Sequence, residues 1–125
     1  MIVGTGVDII EVSRVAEAIE RFGERFLTRI FTESEIRYCQ SRRNYVERFA
    51  ARFAAKEAAM KALGTGLRRG VSWQHIEVGH LPGGRPTIIF SQAAAQIAAQ
   101  LGAKHISLSV SHTEQHAIAQ VILED

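Results

Sequence analysis

One segment, residues 49–64, has the apolar content of a core helix and yet carries two adjacent charges at its centre. At about 100° per residue, the large apolar side chains fall on one stripe and the small ones on an alanine face: Phe49, Phe53, Met60 and Leu63, then Ala50, Ala51, Ala54 and Ala58. Lys56 falls inside the stripe, and Glu57 lies between the stripe and the alanine face. Charges removed from water need partners, so the segment predicts a buried ion pair or a polar cavity. We favour the cavity.

Positive charge is concentrated in the first half of the chain. The net charge is only +2, but the span 14–69 holds 13 of the 15 basic residues against 7 acidic ones. Of the 15 basic residues, 12 are arginine, whose planar fork suits carboxylates and phosphates. Nucleic acid, phosphorylated metabolites and acidic proteins are therefore all open as partners.

Length and composition restrict the class of protein. A chain of 125 residues with 46% hydrophobic content predicts one domain over residues 1–125. No apolar run is long enough for a membrane span, and the amino terminus lacks a leader pattern, so we expect a cytoplasmic protein with no membrane contact. The single cysteine, Cys39, excludes an internal disulfide, and no Cys/His cluster has zinc spacing.

The periodicity predicts an α+β fold in which a mainly antiparallel sheet packs against a long helix and shorter helices. Residues 2–10 read as a strand and 12–22 as a helix. A capping box at Thr32 predicts a short helix through Cys39, and Asn44 is expected to cap the long helix, which ends at Gly64. Strands follow near 75–79 and 87–90, then a helix capped by Ser91 and stopped by Gly102, then a hairpin from 106–111 and 117–123.

Asp8 is a second charge in an apolar setting. It shares a strand face with Gly4 and Gly6, which leave room for a ligand or another backbone to approach. One interpretation is that Asp8 caps the helix that begins near Val12. The other is that Asp8 and Glu57 together form a two-carboxylate oxygen site of the kind that Mg²⁺ prefers.

Lys61 follows Glu57 by four residues, which is the spacing of an ordinary surface salt bridge. Arg52 and Lys56 add like charge at the same spacing. Several cationic side chains around one carboxylate are better suited to binding a polyphosphate and a metal than to forming salt bridges among themselves.

The loop Gly64-Thr65-Gly66 has two interpretations. It is either only a helix C-cap or an extension of the site. An anion there would have to rely on Lys61, Arg68 and Arg69, because the carboxyl end of a helix does not attract negative charge.

Arg14 and Arg21 lie two turns apart on the first helix, and Arg25 extends their ridge if that helix continues past Gly23. The ridge is either a solvated helix face or a docking surface for an acidic helix. The pair His112 and His116 has helical metal spacing but flanks a hairpin turn, which disfavours a metal site.

Two motifs, taken together, resemble a known family. Gly6-Val7-Asp8 and the segment 53–58 (FAAKEA), with 61–66 (KALGTG) and Ser111-His112-Thr113, resemble the signatures of the 4'-phosphopantetheinyl transferases. The order, the separation and the chain length are similar to the short bacterial group of this superfamily.

The resemblance implies transfer of the phosphopantetheine arm of coenzyme A to a serine of apo acyl carrier protein, in support of fatty acid biosynthesis. It implies that Asp8 and Glu57 hold Mg²⁺ and that Lys61 contacts phosphate and assists proton transfer, with Glu57 or a water molecule as the alternative base. Coenzyme A contacts would come from Arg52, Lys61, Gly64, Thr65 and Gly66. The acidic carrier would dock on Arg14, Arg21 and Arg25.

The resemblance also implies a homotrimer whose sites lie between subunits. Arg85, Pro86, His112 and Thr113 would complete a neighbour's coenzyme A pocket. Larger relatives carry a glutamate two residues after the aspartate, where this chain has Ile10, and Glu11 is one position further. Water is expected to replace that third ligand.

Two rival functions remain open at this point. The arginine excess and a sequence pI near 9.0 fit an RNA-binding module, although only 7% of residues are aromatic and few lie where bases could stack. A small non-catalytic structural trimer is the other rival.

Overall fold

The computed structural model describes residues 1–125 and confirms the α+β class. Its elements in chain order are β1 (Ile2–Glu11), α1 (Val12–Phe22), α2 (Glu24–Ile30), α3 (Glu33–Gln40), α4 (Tyr45–Leu63), β2 (Ile76–His80), β3 (Pro86–Phe90), α5 (Gln92–Leu101), β4 (His105–His112) and β5 (His116–Glu124). A short 3₁₀ turn, Trp73–His75, precedes β2 and displaces the predicted start of that strand by one residue. No helix combines the length and apolar character needed to cross a bilayer.

Every strand pairing is antiparallel. One sheet has the order β1-β5-β4, and β2 and β3 form a separate hairpin. In the larger sheet Asp8 is opposite Ala119 and Ile9 is opposite Ile118. Because side chains alternate along a strand, Asp8 faces the helices while Ile9 faces away from them.

Helix α4 lies directly against β1 because glycines occupy the contact. A Cβ added at Gly6 would lie 2.8 Å from the Ala62 nitrogen and closer still to the Ala58 carbonyl oxygen, and Gly4 approaches the Ala62 carbonyl in the same way. Ala54 and Ala58 on the facing side of α4 are fully buried. The space predicted at the two glycines is therefore filled by another backbone, which brings the middle of α4 beside the end of β1.

The core has two clusters that meet along α4. One lies between α4, α5 and the sheets and includes Ile76, Val121 and Leu123. The other joins α1, α2 and α3 to the first half of α4 around Phe31 and Phe49. The long helix is therefore buried on most of its circumference, as the apolar stripe and alanine face predict.

Several predicted helix ends differ from the structure. Gly23 adopts a φ of +55°, so α1 stops there and Arg25 lies on α2 instead of extending the α1 ridge. Asn44 and Ser91 occupy N-cap positions but make no capping hydrogen bond; the Asn44 side chain accepts from Arg48 Nε at 3.1 Å instead. The capping box at Thr32 is confirmed, as is the left-handed C-cap at Gly64.

Candidate active site

Asp8 and Glu57 open onto the same cavity, which we call the acidic cavity. Its volume is about 380 Å³, and it is lined by Asp8, Ile9, Ile10, Arg14, Val15, Ala18, Phe26, Phe53 and Glu57. Asp8 comes from the end of β1 and Glu57 from the middle of α4, so the strand–helix contact at Gly6 is what brings the two carboxylates to one space.

Lys61 binds the strand instead of its helical neighbour. Its Nζ donates to Asp8 Oδ1 at 3.1 Å and to the Val7 carbonyl at 3.0 Å. Glu57 makes no ion pair, so the alternative of a Glu57–Lys61 surface salt bridge is wrong. The alternative in which Asp8 caps α1 is also wrong, since the N-cap is Glu11 and no side chain caps that helix.

The electrostatics of the acidic cavity favour a cation. Burial raises the pKa of Glu57 above its ordinary value, the charge of Asp8 raises it further, and Lys61 opposes the shift. Two carboxylates that repel each other at the wall of one cavity are an oxygen donor set suited to a divalent ion with open positions for water and phosphate.

Asp8 and Glu57 are the two acidic side chains that line the acidic cavity. No group of three or more His, Cys, Asp or Glu side chains is close enough to hold a metal. Ile10 lines the acidic cavity, whereas Glu11 is exposed outside it. His112 Nδ1 lies 3.3 Å from Glu47 Oε2, but His112 and His116 belong to no group of three such side chains.

Lys56 and Arg52 do not surround Glu57, which corrects the predicted cation cluster. Lys56 is fully buried and pairs with Glu35, with its Nζ 2.6 Å from Glu35 Oε1. For Lys56 the prediction of a buried ion pair is therefore confirmed, and the polar cavity that we favoured is wrong. Arg52 points away from the acidic cavity, because residues 52 and 57 lie on different sides of α4.

Arg52 lines a second space, the basic cavity, of about 280 Å³. Its lining residues are Tyr38, Arg48, Ala51, Arg52, Val78, His80, Gly84, Pro86, Val110 and His112. The Arg52 guanidinium stacks on Tyr38 at 4.3 Å from the ring centroid, and its buried Nε has no hydrogen-bond partner. Burial lowers the pKa of His80, and the positive charges of the nearby guanidinium groups lower it further, in the order Arg52, Arg42 and Arg48. An unpartnered buried donor among arginines is suited to an anion.

The predicted coenzyme A residues divide between the cavities. Pro86 and His112 line the basic cavity with Arg52, whereas Arg85 and Thr113 are exposed beside it and are not part of its wall. The Thr113 hydroxyl already accepts backbone N–H groups within the β4–β5 turn, from Gln115 and His116.

The glycine loop, residues 64–66, borders a further cavity that Glu57 also lines. Gly66 shares a small cavity of about 190 Å³ with Glu57, Met60, Lys61, Leu67 and Trp73. Thr65 is buried and donates to the Gly66 carbonyl at 3.0 Å, while Gly64 is the exposed left-handed C-cap. Arg68 and Arg69 do not line this cavity, and Arg69 instead contacts Gln100 at 3.0 Å.

An apolar channel, the aromatic groove, continues from the acidic cavity. Its volume is about 520 Å³, and it is lined by Ala18, Phe22, Arg25, Phe26, Arg29, Ile30, Phe53, Leu67 and Trp73. Arg14 and Arg21 are exposed on α1, and both line a shallow depression on that helix. Of the three predicted docking arginines, Arg14 therefore lines the acidic cavity, Arg25 lines the aromatic groove, and Arg21 lines only the depression on α1.

Comparison with known proteins agrees with the geometry. The family model of the 4'-phosphopantetheinyl transferase superfamily matches residues 4–121. The chain belongs to this superfamily. It is 67% identical to the holo-[acyl-carrier-protein] synthase of Koribacter versatilis (strain Ellin345) over 100% of both chains.

Solved structures of superfamily members have the same fold. The holo-[acyl-carrier-protein] synthase of Neisseria meningitidis matches with a TM-score of 0.91 and 37% identity over 100% of both chains. The Helicobacter pylori synthase in complex with coenzyme A matches with a TM-score of 0.84 and 31% identity, over 96% of this chain and 99% of that one.

Sequence reasoning missed several residues that line this transferase's basic cavity. Tyr38, Arg48 and His80 had no assigned role. Arg48 precedes Arg52 by one helical turn, and that spacing could have indicated a shared face. Tyr38 and His80 carry no comparable signal, because α3 and β2 are brought to α4 only by tertiary packing. For the same reason Glu35, although recognised in the capping box, was not predicted as the partner of Lys56.

Proposed function

We propose that this chain transfers the 4'-phosphopantetheine group of coenzyme A to a serine of apo acyl carrier protein and releases adenosine 3',5'-bisphosphate. The observation that carries the proposal is the convergence of Asp8 and Glu57 at the acidic cavity, with Lys61 bonded to Asp8 beside it. The relatives named holo-[acyl-carrier-protein] synthase and the solved coenzyme A complex support the same reaction.

In this reaction the serine oxygen forms a bond to the β-phosphorus, and the bond from that phosphorus to the bridging oxygen breaks. The serine proton would pass to Glu57 or to a water molecule; burial and Asp8 raise the pKa of Glu57 in the ion-free cavity, and a bound cation would lower it. Lys61, half-exposed and anchored on Asp8 and the Val7 carbonyl, would direct its ammonium group at the phosphates.

Mg²⁺ dependence is part of the proposal. Asp8 and Glu57 would hold the ion, and bound there it would supply positive charge that neutralises the diphosphate as it breaks. The two-carboxylate donor set and their mutual repulsion fit a hard cation that keeps several waters. Asp8 would also hold Lys61 in place, since the two side chains are already in contact.

The basic cavity would bind the phosphorylated adenosine end of coenzyme A. Its arginines and the unpartnered Arg52 Nε suit the 3'-phosphate, with Pro86 and His112 as further walls and Arg85, Thr113, Gly64, Thr65 and Gly66 near the path of the molecule. In a trimer this cavity and the acidic cavity would come from neighbouring subunits.

Replacing Arg52 with Met should therefore weaken coenzyme A use while leaving 3'-dephospho-coenzyme A nearly unaffected. We expect the KM for coenzyme A to rise by about tenfold, the range of one charge-assisted contact. Steady-state kinetics with both co-substrates measures this. An equal loss for both would show that Arg52 does not recognise the 3'-phosphate.

The exposed side of the β1-β5-β4 sheet supports the homotrimer. Val7, Ile9 and Ile118 are 54%, 63% and 43% exposed, and Ile9 is paired directly with Ile118. An apolar strip at the centre of an otherwise serine-rich sheet face is suited to burial against copies of the same chain.

Ile9→Asp should disrupt the trimer, because it places three carboxylates at the shared face. We expect light scattering to give the monomer mass and transfer activity to fall by at least about tenfold. A trimeric Ile9→Asp protein would place the interface elsewhere. Ser107→Asp, exposed on β4 of the same face and paired with none of the three strip residues, is the matched control.

The acyl carrier protein would dock on the surface formed by α1 and α2, through charge attraction and apolar contact. Arg25 lines the aromatic groove, Arg14 and Arg21 are exposed on the neighbouring α1 depression, and the three together would attract an acidic helix. A cytoplasmic role in fatty acid biosynthesis follows from the same proposal.

Intact-mass spectrometry tests the proposed function. Wild-type protein, coenzyme A and Mg²⁺ should add one phosphopantetheine group to an apo acyl carrier protein but not to a carrier whose acceptor serine is replaced by Ala. An unmodified carrier in the presence of folded trimer would contradict the proposal. Salt-dependent RNA affinity that is insensitive to Asp8→Ala would favour the RNA-binding rival instead.

A further inference from the structure

The buried ammonium group of Lys56 connects three separate segments. Its Nζ lies 2.6 Å from Glu35 Oε1 and donates to the carbonyls of Ile30 at 2.9 Å and Trp73 at 3.1 Å. Ile30 is the last residue of α2, and Trp73 begins the 3₁₀ turn before β2. The Ile30 carbonyl, at the end of α2, has no later helical N–H to accept, whereas the Trp73 carbonyl also accepts the Ile76 N–H. The Gln74 side chain joins the same two segments near the surface, where its Nε2 donates to the carbonyls of Thr28 at 2.8 Å and Phe31 at 2.7 Å. Lys56 is the buried link between them.

Glu35 completes the network from the opposite direction. Its Oε1 also accepts the Thr32 N–H at 2.8 Å, and its Oε2 accepts the Val78 N–H at 2.8 Å. The pair therefore links α4 to α2, α3, the 3₁₀ turn and β2. Both side chains are fully buried. A pair in such surroundings is weak evidence for stability, because replacing it with apolar groups is often neutral or stabilising.

The segments held by this pair form the wall beside Glu57. Ile30 and Trp73 line the aromatic groove, and the Trp73 ring packs on Phe53 with centroids 5.1 Å apart. Phe53 is shared between the groove and the acidic cavity, and Trp73 also borders the small cavity at Glu57. Displacement of the two carbonyls would therefore move the surface along which a substrate approaches Glu57.

We propose that the buried Lys56–Glu35 pair is a positioning device that fixes the Ile30–Trp73 wall for the acyl carrier protein. The inference rests on the proposed transferase function and deepens it. Lys56 does not touch the reacting atoms. It acts through the backbone of the wall. Lys56 lines no part of the basic cavity, and the bond from the Val78 N–H to Glu35 Oε2, which does reach that cavity, keeps an acceptor when Glu35 is replaced by Gln.

The test uses the double variant Lys56→Met with Glu35→Gln in the full-length trimer. Removing both charges avoids an unpaired buried ion, and Gln keeps an acceptor for the Val78 N–H. The two wall carbonyls lose their donor. Leu123→Ala is the matched control, since Leu123 is fully buried in the other cluster and lines no part of the groove.

We expect the double variant to raise the KM for the carrier by about fivefold or more, with kcat and the KM for coenzyme A changed by less than about twofold. Trp73 is the only tryptophan, so its emission reports on the wall directly and should shift to longer wavelength. Leu123→Ala should lower the melting temperature without either change. A folded double variant with the wild-type carrier KM and wild-type emission would overturn the proposal.

A second variant keeps the test decisive if the double variant does not fold. Lys56→Arg retains the buried charge, but a planar guanidinium cannot place donors on Glu35 and both carbonyls in the same geometry. It should raise the carrier KM in the same way, and an unchanged carrier KM and emission would overturn the proposal. Wild-type protein that fails to modify the carrier would contradict the transferase function itself, whereas the Trp73 emission would still report on the pair.

Discussion

Replacing Glu57 with Gln is expected to reduce transfer by at least about a hundredfold and, at the same time, to raise the melting temperature of the ligand-free protein. In the proposed reaction, activity falls because the substitution removes a charge that would bind the cation and a group that would accept the serine proton. Stability rises because the wild-type carboxylate is partly desolvated and faces Asp8. Substitutions that relieve charge repulsion in an active site typically raise stability and lower activity in this way.

The size of the stability gain depends on pH. The folded-state pKa of Glu57 lies above its ordinary value of 4.5, so the folded protein binds more protons than the unfolded chain between the two values. Stability therefore falls as pH rises through that window, and the full penalty persists above it. The advantage of Glu57→Gln in melting temperature should be largest near neutral pH and should disappear below the ordinary glutamate pKa.

Differential scanning fluorimetry across pH, together with the intact-mass assay, measures both effects. Glu33→Gln is the matched control, because Glu33 is exposed on α3 and lines neither the acidic nor the basic cavity. Lower stability of Glu57→Gln at neutral pH, or activity near that of wild type, would contradict the role assigned to Glu57.

Gly6→Ala is expected to lower the free energy of unfolding by about 3 kcal/mol and the melting temperature by about 10 °C. The added Cβ would overlap the Ala58 carbonyl and crowd the Ala62 nitrogen, and neither backbone atom can rotate away. The strand and helix would have to separate, which would also move Asp8 away from Glu57 and Lys61. Activity should therefore fall more than stability alone explains.

Gly79→Ala is the matched control for this substitution. Gly79 is also a strand glycine, but its added Cβ meets only the tip of the Ile89 side chain, at 3.1 Å, which can adjust. Chemical denaturation should give a change of less than about 1 kcal/mol for this control. Equal effects of the two substitutions would show that the close β1–α4 approach is not what holds the site.

The central pair of the site was predictable from local patterns. Asp8 follows two glycines on one strand face, and Glu57 lies between an apolar stripe and an alanine face, so each sequence environment indicated a charge near a cavity wall. The Gly6 contact with α4 also follows from the absence of a side chain at that position. These features depend on neighbours within one strand or one helix, which periodicity describes directly.

The partners of Lys56 and Arg52 were not predictable in the same way. Glu35 lies 21 positions before Lys56, and Tyr38 and His80 reach Arg52 from α3 and β2. Nothing in the helical spacing distinguishes a lysine that pairs internally from one that faces a cavity. The end of α1 was missed because the left-handed conformation of Gly23 turns the chain where the sequence permits a continuous helix.

The claim that Asp8 and Glu57 share one divalent cation is tested most directly by titrating Mn²⁺, as a Mg²⁺ substitute, into the coenzyme A-loaded protein in a calorimeter. The account predicts one ion per chain for wild type and loss of that binding in both Asp8→Asn and Glu57→Gln, with coenzyme A still bound. Unchanged Mn²⁺ affinity in either variant would contradict it.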